Sequence, residues 1–160
     1  MNARPLLYLE TSIFGFYFDP LPVNRHRQEA VKTLFKQIAE GDFAAVTSEL
    51  TVRELSRAHE NIRPKLLDLA AKIEILDVSD DAIERLATLY LAEGAVPERF
   101  SDDARHVACA VLAGADLAVS LNLAHIANEW AERRINAVNL REGYPLLSIR
   151  TPEEVIRYED

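Results

Sequence analysis

One cysteine, Cys109, and five glycines are all that the 160 residues contain of either type. A single thiol cannot close an internal disulfide, which excludes a disulfide-stapled scaffold and fits a reducing, cytoplasmic setting. Its neighbours Ala108 and Ala110 mark it as a core thiol rather than a nucleophile. Scarce glycine argues against a phosphate-cradling loop. No P-loop, dinucleotide-binding glycine pattern or nucleophile-elbow serine occurs. The apolar runs are too short to span a bilayer, and the opening residues lack the layout of a signal peptide. Cations are outnumbered, 18 Lys and Arg against 26 Asp and Glu, for a net charge of -8. That balance argues against broad, charge-driven binding to nucleic acid. It leaves a nucleic-acid enzyme open, because acids that hold divalent cations add negative charge that the metal cancels.

What is present reads as one domain over residues 1–160, with 49% hydrophobic residues to fill a core. Leu6 to Leu9, Phe43 to Val46, Ile73 to Leu76 and Leu117 to Val119 are short continuous apolar runs, the signature of strands buried on both faces. Asn136 to Asn139 reads as a fifth strand, and Leu146 to Ile149 as an edge strand. Helical spacing fills the gaps. Ala30, Val31, Leu34, Phe35 and Ile38 share one face ahead of Gly41. Ser48, Ser79 or Asp80, and Ser101 are expected N-caps, and Pro64 opens another helix. Ile126, Ala127 and Trp130 mark a further one, and Thr151-Pro152-Glu153-Glu154 opens a last short one. Phe16 to Arg27 is the least regular segment. Strands alternating with helices predict an α/β class with a mostly parallel sheet.

In such sheets ligands bind beyond the carboxyl ends of the strands. Glu10, Thr11 and Ser12 follow the first run. Thr47 and Ser48 follow the second and lead to Glu54. Ser120, Asn122 and His125 follow the fourth, and the helix before it opens with Asp102 and Asp103. Three acids with hydroxyl and amide oxygens suit a hard cation, magnesium or manganese, which can polarise a phosphate and activate a water. The histidines lack zinc-ligand spacing. Other readings are open for single residues. Glu54 could pair with Arg53 or Arg57 on a surface helix, and Asp102 suits the helix dipole. His106 could bond Asp103 or serve as a core-edge histidine, and Asn122 could simply make a turn. Phe14, Phe16, Tyr17 and Phe18 could fill the core or form a partner surface. A receiver domain or a haloacid-type phosphatase fits poorly, because the first strand ends in Glu10-Thr11-Ser12 rather than in aspartate.

Three segments carry a resemblance: Tyr8-Leu9-Glu10-Thr11-Ser12-Ile13, then Ser48 to Leu55, then Asp103 to Ala108 with Gly114-Ala115-Asp116 and Ser120 to Ile126. In this order and spacing the chain resembles the PIN-domain family, and within it the small single-domain toxins of type II toxin–antitoxin pairs. The resemblance implies a three-layer α/β/α fold with about five strands. It implies a metal-dependent endoribonuclease in which Glu10, Glu54 and Asp103 are the catalytic, metal-binding acids for Mg2+ or Mn2+. Ser12, Ser120, Asn122 and His125 would support them. An RNA substrate, a cognate antitoxin and a homodimer follow as expected partners, with no membrane. Two positions depart from the usual pattern: Glu10 stands where aspartate is usual, and Asn122 where many members carry another aspartate. A subgroup opening with Glu-Thr-Ser and closing with Trp-Asn-x-x-His-Ile is closer, with Leu121 here in place of Trp. The alternative to a nuclease is a degenerate PIN-like module that binds RNA or a protein without catalysis.

Overall fold

The structure, a computed structural model, describes residues 4–159. Five short strands form in chain order: β1 (Leu6–Leu9), β2 (Ala44–Thr47), β3 (Glu74–Ile75), β4 (Leu117–Val119) and β5 (Ser148–Arg150). They lie in the order β3-β2-β1-β4-β5, every neighbouring pair parallel. β1 is central, with Tyr8 paired to Val46 on one side and Ala118 on the other. The chain builds outward from β1 to β3, then returns to β4 on the opposite flank. The sheet therefore changes direction between β1 and β4, and a crevice opens beyond their carboxyl ends.

Eight α-helices are seen among the described residues: α1 (Thr11–Tyr17), α2 (Arg25–Ala39), α3 (Glu49–Leu55), α4 (Arg63–Ala70), α5 (Asp80–Ala92), α6 (Ser101–Leu112), α7 (Glu129–Glu142) and α8 (Pro152–Val155). Alternation along β1 assigns each side chain to one layer. Tyr8 faces α5, α6 and α7, where Leu86, Tyr90, Val107 and Ile135 are buried. Leu7 and Leu9 face α1, α2 and α4, against Ile13, Val31, Leu34 and Leu66. The result is a three-layer α/β/α fold with an all-parallel sheet, as the strand and helix alternation predicts. Among the described residues no helix is long and apolar enough to cross a membrane.

Several caps form as expected. Ser48 accepts from the Thr51 amide and Ser79 from that of Ala82, and Thr151 with Glu154 closes a capping box. Gly143, at φ 80°, ends α7 in the left-handed conformation. Four expectations need correction. Asn136 to Asn139 is helix within α7, not strand. Ala131, Ile135 and Val138 bury one face at helical spacing, and Asn139 accepts a 2.6 Å hydrogen bond from buried Tyr90. Ser101 is the first residue of α6 rather than its cap, because a short 3-10 turn at Glu98–Phe100 runs straight into the helix. Ile126 and Ala127 lie in the turn before α7, which starts only after Asn128 caps it. Phe16 and Tyr17 belong to α1, so the irregular stretch begins only at Phe18. Phe14 is fully buried, and Tyr17 packs edge-on against Phe35, so this aromatic run serves the core on its inner side.

Candidate functional site

Glu10 leaves β1 and occupies the N-cap position of α1 with an extended backbone. Its side chain is only 6% exposed, an environment that a carboxylate tolerates only when it is well bonded. Ser12 and Ser120 both donate to its Oε1, at 2.5 and 2.7 Å. The two hydroxyls are held in turn. Ser12 Oγ accepts from the Leu121 amide and Ser120 Oγ from the Asn122 amide, both at 2.9 Å. Each serine hydrogen is thereby committed to Glu10. Oε2 receives no hydrogen bond among the described residues.

Asp103 lies in the first turn of α6, and its Oδ2 meets His125 Nδ1 at 2.8 Å. Burial is the main cause that pushes its carboxyl above the ordinary value, and the negative charge of Glu10 adds to the shift. The nearby Asn122 amide and the hydrogen bond with His125 oppose it. His125 stacks on Phe100 with ring centroids 3.7 Å apart, and Arg99 sits over that phenyl ring at 5.0 Å. Asp102 turns away to Arg105 at 2.7 Å, the helix-start acid its position suggests.

Glu54 does not pair with Arg53 or Arg57 as the surface-acid reading has it. Its Oε1 accepts from Thr11 Oγ1 at 2.8 Å and from His106 Nε2. Burial raises the Glu54 carboxyl, but the His106 and Thr11 bonds and the nearby cations outweigh it and hold it below the usual value. His106 is fully buried rather than core-edge, and it bonds Glu54 rather than Asp103. Burial lowers the imidazole, yet Glu54 first, then Glu10 and Asp103, bring it above the ordinary histidine value. One imidazole thus feels all three carboxylates, which arrive from β1, α3 and α6.

The opposite shifts define a pH window in metal-free protein. Glu54, lowered from 4.5, contributes fully above that value and loses its contribution as pH falls through the folded value. His106, raised from 6.5, contributes fully below that value and loses its contribution as pH rises through the folded value. The melting-temperature advantage of the parent over Glu54→Gln is therefore expected to peak between 4.5 and 6.5 and to shrink on both sides. Melts from pH 4 to pH 9 check this, and an advantage that is flat across that range contradicts the pairing.

Sequence reasoning placed Thr11 at the end of the first strand without giving it a role, and gave Tyr8 and Phe100 none. Tyr8 is the inward-alternating residue between Leu7 and Leu9, which was a usable signal. Phe100 ends a Gly94 to Phe100 loop that could border a site, but its role is not legible there, because its stacking partner His125 stands 25 positions further along the chain. A cavity of about 550 Å³, lined by Ser48, Arg53, Ser79, Arg105 and Cys109 among others, adjoins the site but contains none of the three acids.

Among the described residues, no three acidic, histidine or cysteine side chains close into a ready-made metal cage. The donor chemistry nonetheless fits a hard cation that keeps several waters. Glu10 and Glu54 each have one oxygen anchored and the other free of hydrogen bonds among the described residues. Asp103 carries a half-buried charge that His125 offsets only in part, and a dication would relieve the rest. Comparison with protein-family models finds no match to the chain, and comparison with curated proteins finds none.

Proposed function

We propose that the chain is a magnesium- or manganese-dependent endoribonuclease of the PIN-domain kind, a toxin restrained by a cognate antitoxin in the cytoplasm and acting as a homodimer. The observation that carries the reading is that hydrogen bonds tie all three acids to the carboxyl ends of β1 and β4: Ser120 to Glu10, His125 to Asp103, and Thr11 to Glu54. Glu10, Glu54 and Asp103 would hold the cation. The metal would polarise a phosphodiester and lower the pKa of a bound water. Ser12 and Ser120 fix the direction of the Glu10 carboxylate, so its free oxygen needs no reorganisation when a ligand arrives. His125, braced on Phe100, holds Asp103 in the same way. Asn122, a neutral amide beside Asp103, limits the negative charge available for a second cation.

Metal removal tests the reading. Purified protein with unstructured RNA is expected to cleave in manganese, to stop in excess chelator, and to recover on manganese add-back. Cleavage that persists in chelator contradicts it. A non-catalytic RNA- or protein-binding module is the second reading, favoured by one observation: Glu54 already has a close polar partner in His106. Binding of the same RNA without cleavage at any manganese concentration selects that module.

A further inference from the structure

The proposed chemistry uses the three acids and leaves a buried chain of polar groups behind Glu54 without a role. Glu54 sits on α3, and its side chain is long enough to sweep several positions. Such a side chain gives up rotamer freedom when it is fixed. Here it is fixed from behind. His106 Nε2 and Thr11 Oγ1 both donate to Oε1, and Oε2 takes no hydrogen bond among the described residues. The imidazole is itself immobile. Its Nδ1 shares a 2.7 Å hydrogen bond with Tyr8 Oη, which makes another of 2.7 Å with Ser48 Oγ. Tyr8, Ser48 and His106 are all at most 3% exposed. The chain runs from the end of β2 through β1 and α6 to α3, tying the acid to the strand that leads into Glu10 and the helix that bears Asp103.

We infer that His106 is a positioning residue: anchored by Tyr8, it holds Glu54 Oε1 so that Oε2 alone is presented as the third ligand oxygen of the cation site. This rests on the metal-dependent reading above. Outer partners of this kind, which orient a ligand through its second atom, change metal affinity by about 10–100-fold when they are removed.

The two ring nitrogens can be separated by substitution. His106→Gln places an amide nitrogen near the Nε2 position and keeps a donor for Glu54. His106→Asn keeps a polar group near Nδ1 and loses the donor. Calorimetric titration with manganese chloride is the measurement, on variants whose circular dichroism matches the parent. His106→Asn is expected to weaken manganese binding about 10–100-fold, and His106→Gln to stay close to the parent. RNA cleavage by His106→Asn is expected to recover at raised manganese, a rescue that loss of core packing would not give. Equal manganese affinity in His106→Asn and the parent overturns the inference and leaves the metal site standing. A parent that binds no manganese overturns the metal reading itself. Should both His106 variants fail to fold, Tyr8→Phe preserves the ring and removes only the hydroxyl anchor. Weakened manganese binding then supports the chain of contacts, and unchanged binding overturns it.

Discussion

Asp103→Asn is expected to abolish RNA cleavage while raising the melting temperature of the metal-free protein. The two effects have one cause. Burial, with Glu10 nearby, raises the Asp103 carboxyl above its ordinary 3.8. An acid whose folded pKa is raised binds its proton more tightly folded than unfolded. Stability therefore falls as pH rises from 3.8 through the folded value, and the whole penalty is present at neutral pH. Asparagine removes the half-buried charge and can still accept from His125 Nδ1. A gain of a few degrees is the scale expected for about 1 kcal/mol in a domain of this size. The same charge is what a cation would bind, so the stabilised variant is expected to be inactive. Melting in chelator and a cleavage assay read the two halves separately. A variant that melts below the parent contradicts the electrostatic account, and one that cleaves normally contradicts the functional account.

Glu10→Gln is expected to lower cleavage about a thousandfold or more without unfolding the protein. The amide oxygen can still accept from Ser12 and Ser120, so the two hydroxyls keep their partner. What is lost is the negative charge facing the cation. Metal polarisation supplies several kcal/mol of transition-state stabilisation, and each 1.36 kcal/mol corresponds to about tenfold in rate. Glu10→Ala is a poorer probe. It leaves two buried hydroxyl donors unpaired at a cost of about 1–3 kcal/mol each, mixing stability with activity. Single-turnover cleavage by Glu10→Gln within threefold of the parent would remove Glu10 from the chemistry.

Much of the architecture was legible because a buried parallel sheet imposes continuous apolar runs. Leu6 to Leu9 and Leu117 to Val119 match β1 and β4 residue for residue. The misplaced strand at Asn136 to Asn139 shows where local reading fails. Two asparagines around Ala137 and Val138 look like a bounded apolar pair, and only the tertiary contacts of Asn139 with Tyr90 and of Asn136 with Leu147 explain buried amides in a helix. The site was legible as residues on strand ends, because topology alone sends them to one edge. Their pairing was not. Whether Glu54 meets an arginine on its own helix or His106 from α6 depends on how α3 and α6 pack around Tyr8. Spacing along one chain carries no trace of that geometry. The resemblance to PIN domains implies the acids but says nothing of the imidazole that bonds Glu54.

Locating manganese in the folded protein is the most direct test of the central claim, that Glu10, Glu54 and Asp103 form a divalent-cation centre. Crystals soaked in manganese chloride and measured near the manganese absorption edge are expected to give an anomalous peak within metal–oxygen bonding distance of Glu10 Oε2 and an Asp103 oxygen, absent in Asp103→Asn crystals. No peak between these carboxylates at saturating manganese, or an equal peak in Asp103→Asn, would contradict it.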